Sequence, residues 1–105
     1  MNQQLKDFAD AMERGWNLCP NMEHDKFYKG FPTAPTACCA NGHAALGMYG
    51  NANRWDDLDY ACTQQVKHPH QGGENILLRS AINKLVKDGW TTLQVIEWLR
   101  SHLND

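Results

Sequence analysis

Ala37-Cys38-Cys39-Ala40-Asn41-Gly42-His43-Ala44-Ala45-Leu46-Gly47-Met48-Tyr49 is the stretch on which the fold turns. It follows Thr36, a good N-cap residue, and its side chains are nearly all small, so it predicts a helix over residues 37–49. Gly42 and Gly47 each cost such a helix about 1 kcal/mol relative to alanine, and something must offset that cost. Small residues let a neighbouring backbone come close, which marks this segment as a central buried helix crossed tightly by others. The sharper alternative sets a ligand against Gly42.

Working outward toward the N-terminus, Leu5, Phe8 and Met12 recur at helical spacing among charged residues and predict an amphipathic helix over 3–15, ended by Gly15. Trp16 and Leu18 lead into Cys19-Pro20. From there to Pro35 the chain has three prolines, Gly30 and no sustained period, so residues 17–35 read as a long aromatic-rich loop. Phe27, Tyr28 and Phe31 sit there beside Lys26 and Lys29, as a small hairpin, a lid across the helices, or an aromatic plug over the core.

On the other side, Trp55, Leu58, Cys62 and Val66 follow one another at steps of three, four and four. With Asn53 as N-cap and Asp56 and Asp57 in the first turn, they predict a helix that stops at Lys67. His68-Pro69-His70-Gln71-Gly72-Gly73 is a turn whose histidines could bind metal or sense pH, though exposed loop histidines usually do neither. Its double glycine lacks the Lys-Ser/Thr of a phosphate loop. Residues 74–87 form the next predicted helix, through Ile76, Leu78, Ala81, Ile82, Leu85 and Val86, with Asp88-Gly89 as its stop. Thr91 and Gln94 then fit a capping box and Trp90 and Val95 a hydrophobic staple. This last helix presents Leu93, Ile96, Leu99 and Leu103 inward and Glu97, Arg100 and Asp105 outward. The expectation is one all-α domain, residues 1–105, of about five helices.

Composition narrows the function classes. The 105 residues are 42% hydrophobic and 21% charged, which argues against disorder, and a net charge of -2 makes nucleic acid an unlikely partner. The last two helices have a helix-turn-helix rhythm, but Arg100 is the one arginine or lysine after Thr92. No apolar run is long enough for a membrane span, and charged residues in the first thirteen argue against a signal peptide, so the expected location is cytoplasmic with no membrane partner. The four cysteines are then free thiols.

Cys39 and His43, four apart, would share a helix face and supply half of a zinc site; Cys19, Cys38, His24, Cys62, His68 and His70 are the other candidates. The same pair could act as nucleophile and base, but catalytic dyads usually come from separate elements and need an orienting third group. Asp56, Asp57 and Asp59 lack the spacing of a calcium loop. No cofactor and no catalytic residue are expected. Trp16, Phe27, Tyr28, Trp55, Trp90 and Trp98 cannot all be central in so small a core, which points to a partner surface or a homodimer seam.

Gly15-Trp16, the run C-A-x-G-H-A-A-L at Cys39 to Leu46, Ile82-Asn83, and G-W-T-x-x-x-V-I-x-x-L at Gly89 to Leu99 carry a likeness. Together they resemble a family of small uncharacterised proteins of phages and actinobacteria. That family shows G-W, C-x-x-G-A-L, and W-N-D followed by a T-x-x-E-V helix. This chain departs from it at His43, where the family has alanine, and at Lys84, where it has aspartate. The resemblance implies a helical fold and a mobile-element origin, with no reaction attached. The functional expectation is a non-catalytic phage-type protein of the bacterial host cytoplasm that binds a host macromolecule, as an antagonist of host defence. Asn41, Gly42, His43, Asn83, Phe27, Tyr28 and Trp55 are its expected binding residues. Two alternatives stand beside it: a small-molecule sponge or sensor with a nucleotide-like ligand at Gly42, and a zinc- or cysteine-dependent enzyme.

Overall fold

In the computed structural model, which describes residues 2–69 and 73–102, helix α1 spans Gln3–Leu18 and helix α2 spans Ala40–Tyr49. The Asn2 side-chain oxygen accepts the amide protons of Gln4 and Leu5 and so starts α1. Gly15 does not end this helix. It marks the crossing with α2: a Cβ on Gly15 would lie 1.7 Å from the His43 carbonyl oxygen, and one on Gly47 1.7 Å from that of Ala11. The close crossing expected of the small-residue helix is therefore present, backbone against backbone, with α1 lying against Gly47.

Around this pair the core gathers Leu5, Phe8 and Met12 with Leu58, Val66, Leu78, Ile82, Val86, Val95 and Leu99. It comes from several kinds of element, because the chain is not all-helical. Strands β1 (Tyr28–Phe31) and β2 (Ala34–Cys38) form one antiparallel hairpin, and β3 (Gln65–Lys67) and β4 (Asn75–Leu77) form another.

The first hairpin corrects both the loop expected at 17–35 and the start of the central helix. Pro35 disfavours helical geometry in the residue before it, and the backbone of Cys38 finds better partners in extended form. Its N–H donates to the Asn21 carbonyl at 3.1 Å and its carbonyl accepts from the Glu23 N–H at 2.9 Å, while Tyr28 pairs with it on the other side. Ala37 and Cys38 are thus strand, and Cys39, not Thr36, caps α2. The hairpin is tied to the segment after α2, where Ala52 N–H donates to the Pro32 carbonyl at 2.7 Å, and its root is closed by Cys39 N–H donating to the Phe27 carbonyl at 3.1 Å.

The helix expected over 53–67 is three pieces. A 3-10 helix, Ala52–Asp57, is capped by Asn51 rather than Asn53; α3 is Asp59–Thr63; β3 follows. Leu58 breaks the run with ψ of 83° while its side chain goes into the core. Val66 is the inward residue of a strand whose neighbours are exposed. Leu58 and Val66 are buried while Trp55 and Cys62 are half-buried, and a step of four fits both a helix and a break followed by alternation.

Beyond the turn, His68 N–H donates to the Glu74 carbonyl and closes the second hairpin at 2.7 Å. His70, Gln71 and Gly72 lie outside the described residues. Residues 75–77 are strand β4, so α4 is shorter than expected, Leu78–Lys87. Its end is as read: Gly89 has φ of 97°, its N–H donates to the Val86 carbonyl and that of Trp90 to the Leu85 carbonyl, a Schellman turn. Helix α5, Thr92–His102, carries the capping box in full, with Thr91 Oγ1 accepting from Gln94 N–H and Gln94 Oε1 from Thr91 N–H. Its inner face is Thr92, Val95, Ile96 and Leu99, whereas Leu93 is 51% exposed. Leu103 and Asp105 lie outside the described residues.

Candidate functional site

The seven residues expected to bind divide into two groups. Asn41, Gly42 and His43 are buried in α2, and half-buried Asn83 of α4 joins them. Phe27, Tyr28 and Trp55 meet instead at the surface, around the root of the first hairpin.

In the inner group the polar atoms are mostly occupied by the protein itself. Asn41 Nδ2 donates to Asn83 Oδ1 at 2.9 Å and to the Arg79 carbonyl at 3.3 Å, tying α2 to α4. A Cβ on Gly42 would stand 2.0 Å from the Phe27 carbonyl oxygen, so the hairpin's approach fills the space reserved for a ligand. His43 places Nε2 2.7 Å from the Cys19 carbonyl and Nδ1 2.6 Å from Thr92 Oγ1. A carbonyl only accepts, so Nε2 carries the proton and Nδ1 accepts the threonine hydroxyl. Burial pushes the imidazole down to about 4 despite the Cys19 carbonyl, so it is neutral, and the Trp16 ring lies edge-on to it at 5.3 Å.

Cys39 is not an activated nucleophile. Its sulfur accepts the Gly42 N–H at 3.5 Å as the cap of α2, and burial pushes the thiol up to about 11. Neither ring nitrogen of His43 is bonded to it. The thiols the fold brings to His43 are Cys19 and Cys38, both buried: the two sulfurs and a ring nitrogen lie within 4.8 Å of one another. Burial, and then the adjoining Cys19, push the Cys38 thiol up. Cys62 is elsewhere, half-buried, receiving an Arg79 N–H at 3.8 Å. Cys38 and His43 are five residues apart, but Cys19 lies 19 residues before Cys38, so the sequence offers all three as candidate ligands without showing that they meet.

The outer group is a surface feature of a different kind. Phe27 and Trp55 stack with centroids 3.9 Å apart and planes within 2°, and the Arg79 guanidinium lies 5.6 Å from the Trp55 ring centre. With Lys26, Tyr28, Lys29, Gly30 and Asn53 they line an open cleft of about 470 Å³. Lys29 ion-pairs at 3.0 Å with buried Glu23, whose carboxyl is held below its ordinary range by the Asp25 amide and by that ammonium. At the end of β1, Phe31 is 76% exposed. All four tryptophans are half-buried, and among the described residues the exposed large apolar side chains are Leu18, Phe31, Met48 and Leu93 instead.

Of the carboxylates considered for a cation, Asp57 pairs with Arg54 at 2.8 Å, and Asp56 and Asp59 are exposed. Among the described residues no helix is long and apolar enough to cross a membrane. No family model matches the chain, and neither a curated protein nor a solved structure matches it.

Proposed function

We propose that the protein is non-catalytic and works by binding a host macromolecule through the face made by the first hairpin and Trp55. The observation that carries this reading is the convergence of Phe27, Tyr28 and Trp55 on one cleft, with exposed Phe31 at the end of the same strand as Tyr28. Aromatic side chains anchor interfaces because they bury much area at little cost in side-chain entropy. The groups that could have done chemistry support it from the other side: His43 and Cys39 spend their polar atoms inside the fold. The host, its cytoplasm and the antagonism of a defence system rest on the resemblance to phage proteins.

The test is affinity capture from bacterial lysate with the native sequence, Phe31→Asp and Leu93→Asp. A stoichiometric partner retained by Leu93→Asp and lost by Phe31→Asp is the expected result. Capture by neither the native protein nor the control, or equally by all three, overturns the reading. Light scattering on the same proteins tests the homodimer seam, where a dimer dissociated by Phe31→Asp puts a second copy in the partner's place.

A nucleotide-like ligand is the second reading. It moves from Gly42 to the outer cleft, where the volume, Lys26 and the stacked Phe27 and Trp55 rings suit a flat anionic molecule. Melting shifts across a nucleotide panel that disappear in Trp55→Ala would favour it, and a flat panel would remove it.

A further inference from the structure

We propose that Cys19, Cys38 and His43 form a binding site for a divalent d10 cation, zinc being the cellular one. The ligands come from three places in the fold: Cys19 caps the C-terminus of α1, Cys38 ends β2 and His43 lies in α2. All three are buried, and their ligand atoms already lie within 4.8 Å of one another. Metal–sulfur bonds of about 2.3 Å and metal–nitrogen bonds of about 2.0 Å put donors roughly 3.5–4 Å apart, so closing on an ion requires shifts of about 1 Å or less.

Charge selects the ion. Two thiolates and a neutral imidazole balance a divalent cation to zero, the balance a dry interior tolerates; a monovalent ion would leave an unpaired negative charge. The imidazole ligates through one nitrogen and keeps its hydrogen bond on the other, to Thr92 Oγ1 or to the Cys19 carbonyl, as a ligating histidine requires. Binding exchanges both thiol protons for the metal: two S–H bonds break, two S–metal bonds form, and two protons leave to solvent. A tetrahedral ion keeps its fourth position for an exogenous ligand. The ion would clamp the end of β2 to the two central helices.

Zinc titration of the reduced full-length chain against a chromophoric chelator, with proton release measured in parallel, tests this. We expect one zinc per chain, two protons released per zinc, and protection of Cys19 and Cys38 from alkylation in the folded chain, mapped by mass spectrometry. Cys19→Ala and Cys38→Ala should each weaken binding by at least about 100-fold, whereas Cys39→Ser and Cys62→Ser should leave it unchanged. Absence of a stoichiometric site, or zinc bound while Cys19 and Cys38 label as fast as in the apo protein, overturns the proposal. Should an alanine variant fail to fold, the proton count and alkylation map of the native chain decide alone.

Discussion

His43 shows how one residue's environment reverses its reading. Four residues from Cys39 it looks like a base or ligand partner of that thiol, yet the fold gives it Thr92 and the Cys19 carbonyl and takes away its water. Its folded pKa of about 4 lies below the ordinary 6.5, so the unfolded chain takes up a proton that the folded chain refuses. Stability should therefore be intact above pH 6.5 and fall as the pH drops toward 4, by an amount on the order of 3 kcal/mol from this group. Urea unfolding across that range checks the slope, and the ring resonances should remain those of the neutral Nε2–H form at pH 5. A charged ring at that pH would show the site to be wet. Cys39→Ser belongs to the same scale: the hydroxyl is a better N-cap than the thiol, so stability should hold or rise by a few tenths of a kcal/mol, a small change that denaturation midpoints resolve.

Among the elements, the crossing of α1 and α2 opposes local propensity to packing. Helix propensity alone says that Gly47→Ala stabilises α2 by about 1 kcal/mol. The Ala11 carbonyl oxygen, 1.7 Å from the added Cβ, says the reverse, because backbone on both sides has nowhere to go. The clash should win, with a net loss of about 3 kcal/mol or more and a lowered melting temperature. Capping gives a milder case: Thr91→Ala removes the hydroxyl that accepts the Gln94 N–H and should cost about 1 kcal/mol in urea unfolding. Both ends of the α4–α5 turn were legible because Asp88-Gly89 and Thr91-x-x-Gln94 act on their own backbone. The strands were not: three-residue β3 and β4 are held by pairing with each other, and nothing local in Gln65-Val66-Lys67 separates strand from helix.

At the scale of the molecule, α1 and α5 are joined at the surface by Arg100, whose guanidinium reaches Glu13 and Asp10 at 2.8 Å each. The three side chains are 35–44% exposed and reached by solvent, so Arg100→Ala should cost about 1 kcal/mol or less, and added salt should shrink the difference between native and variant. A larger loss would mean the two helices depend on that contact rather than on Val95, Ile96 and Leu99 beneath it. The sequence by itself determined most of the buried apolar positions, though not that Leu93 stays outside, where α4 ends and α5 begins, and that a small-residue helix lies at the centre, because hydrophobic spacing, caps and glycines act over a few residues. Only the tertiary structure decided that 28–38 is a hairpin, that Gly42 faces the Phe27 carbonyl, and that His43 sits with Cys19 and Cys38 rather than Cys39. These depend on pairings between distant segments, and which distant groups meet is set by how the whole chain closes over its core.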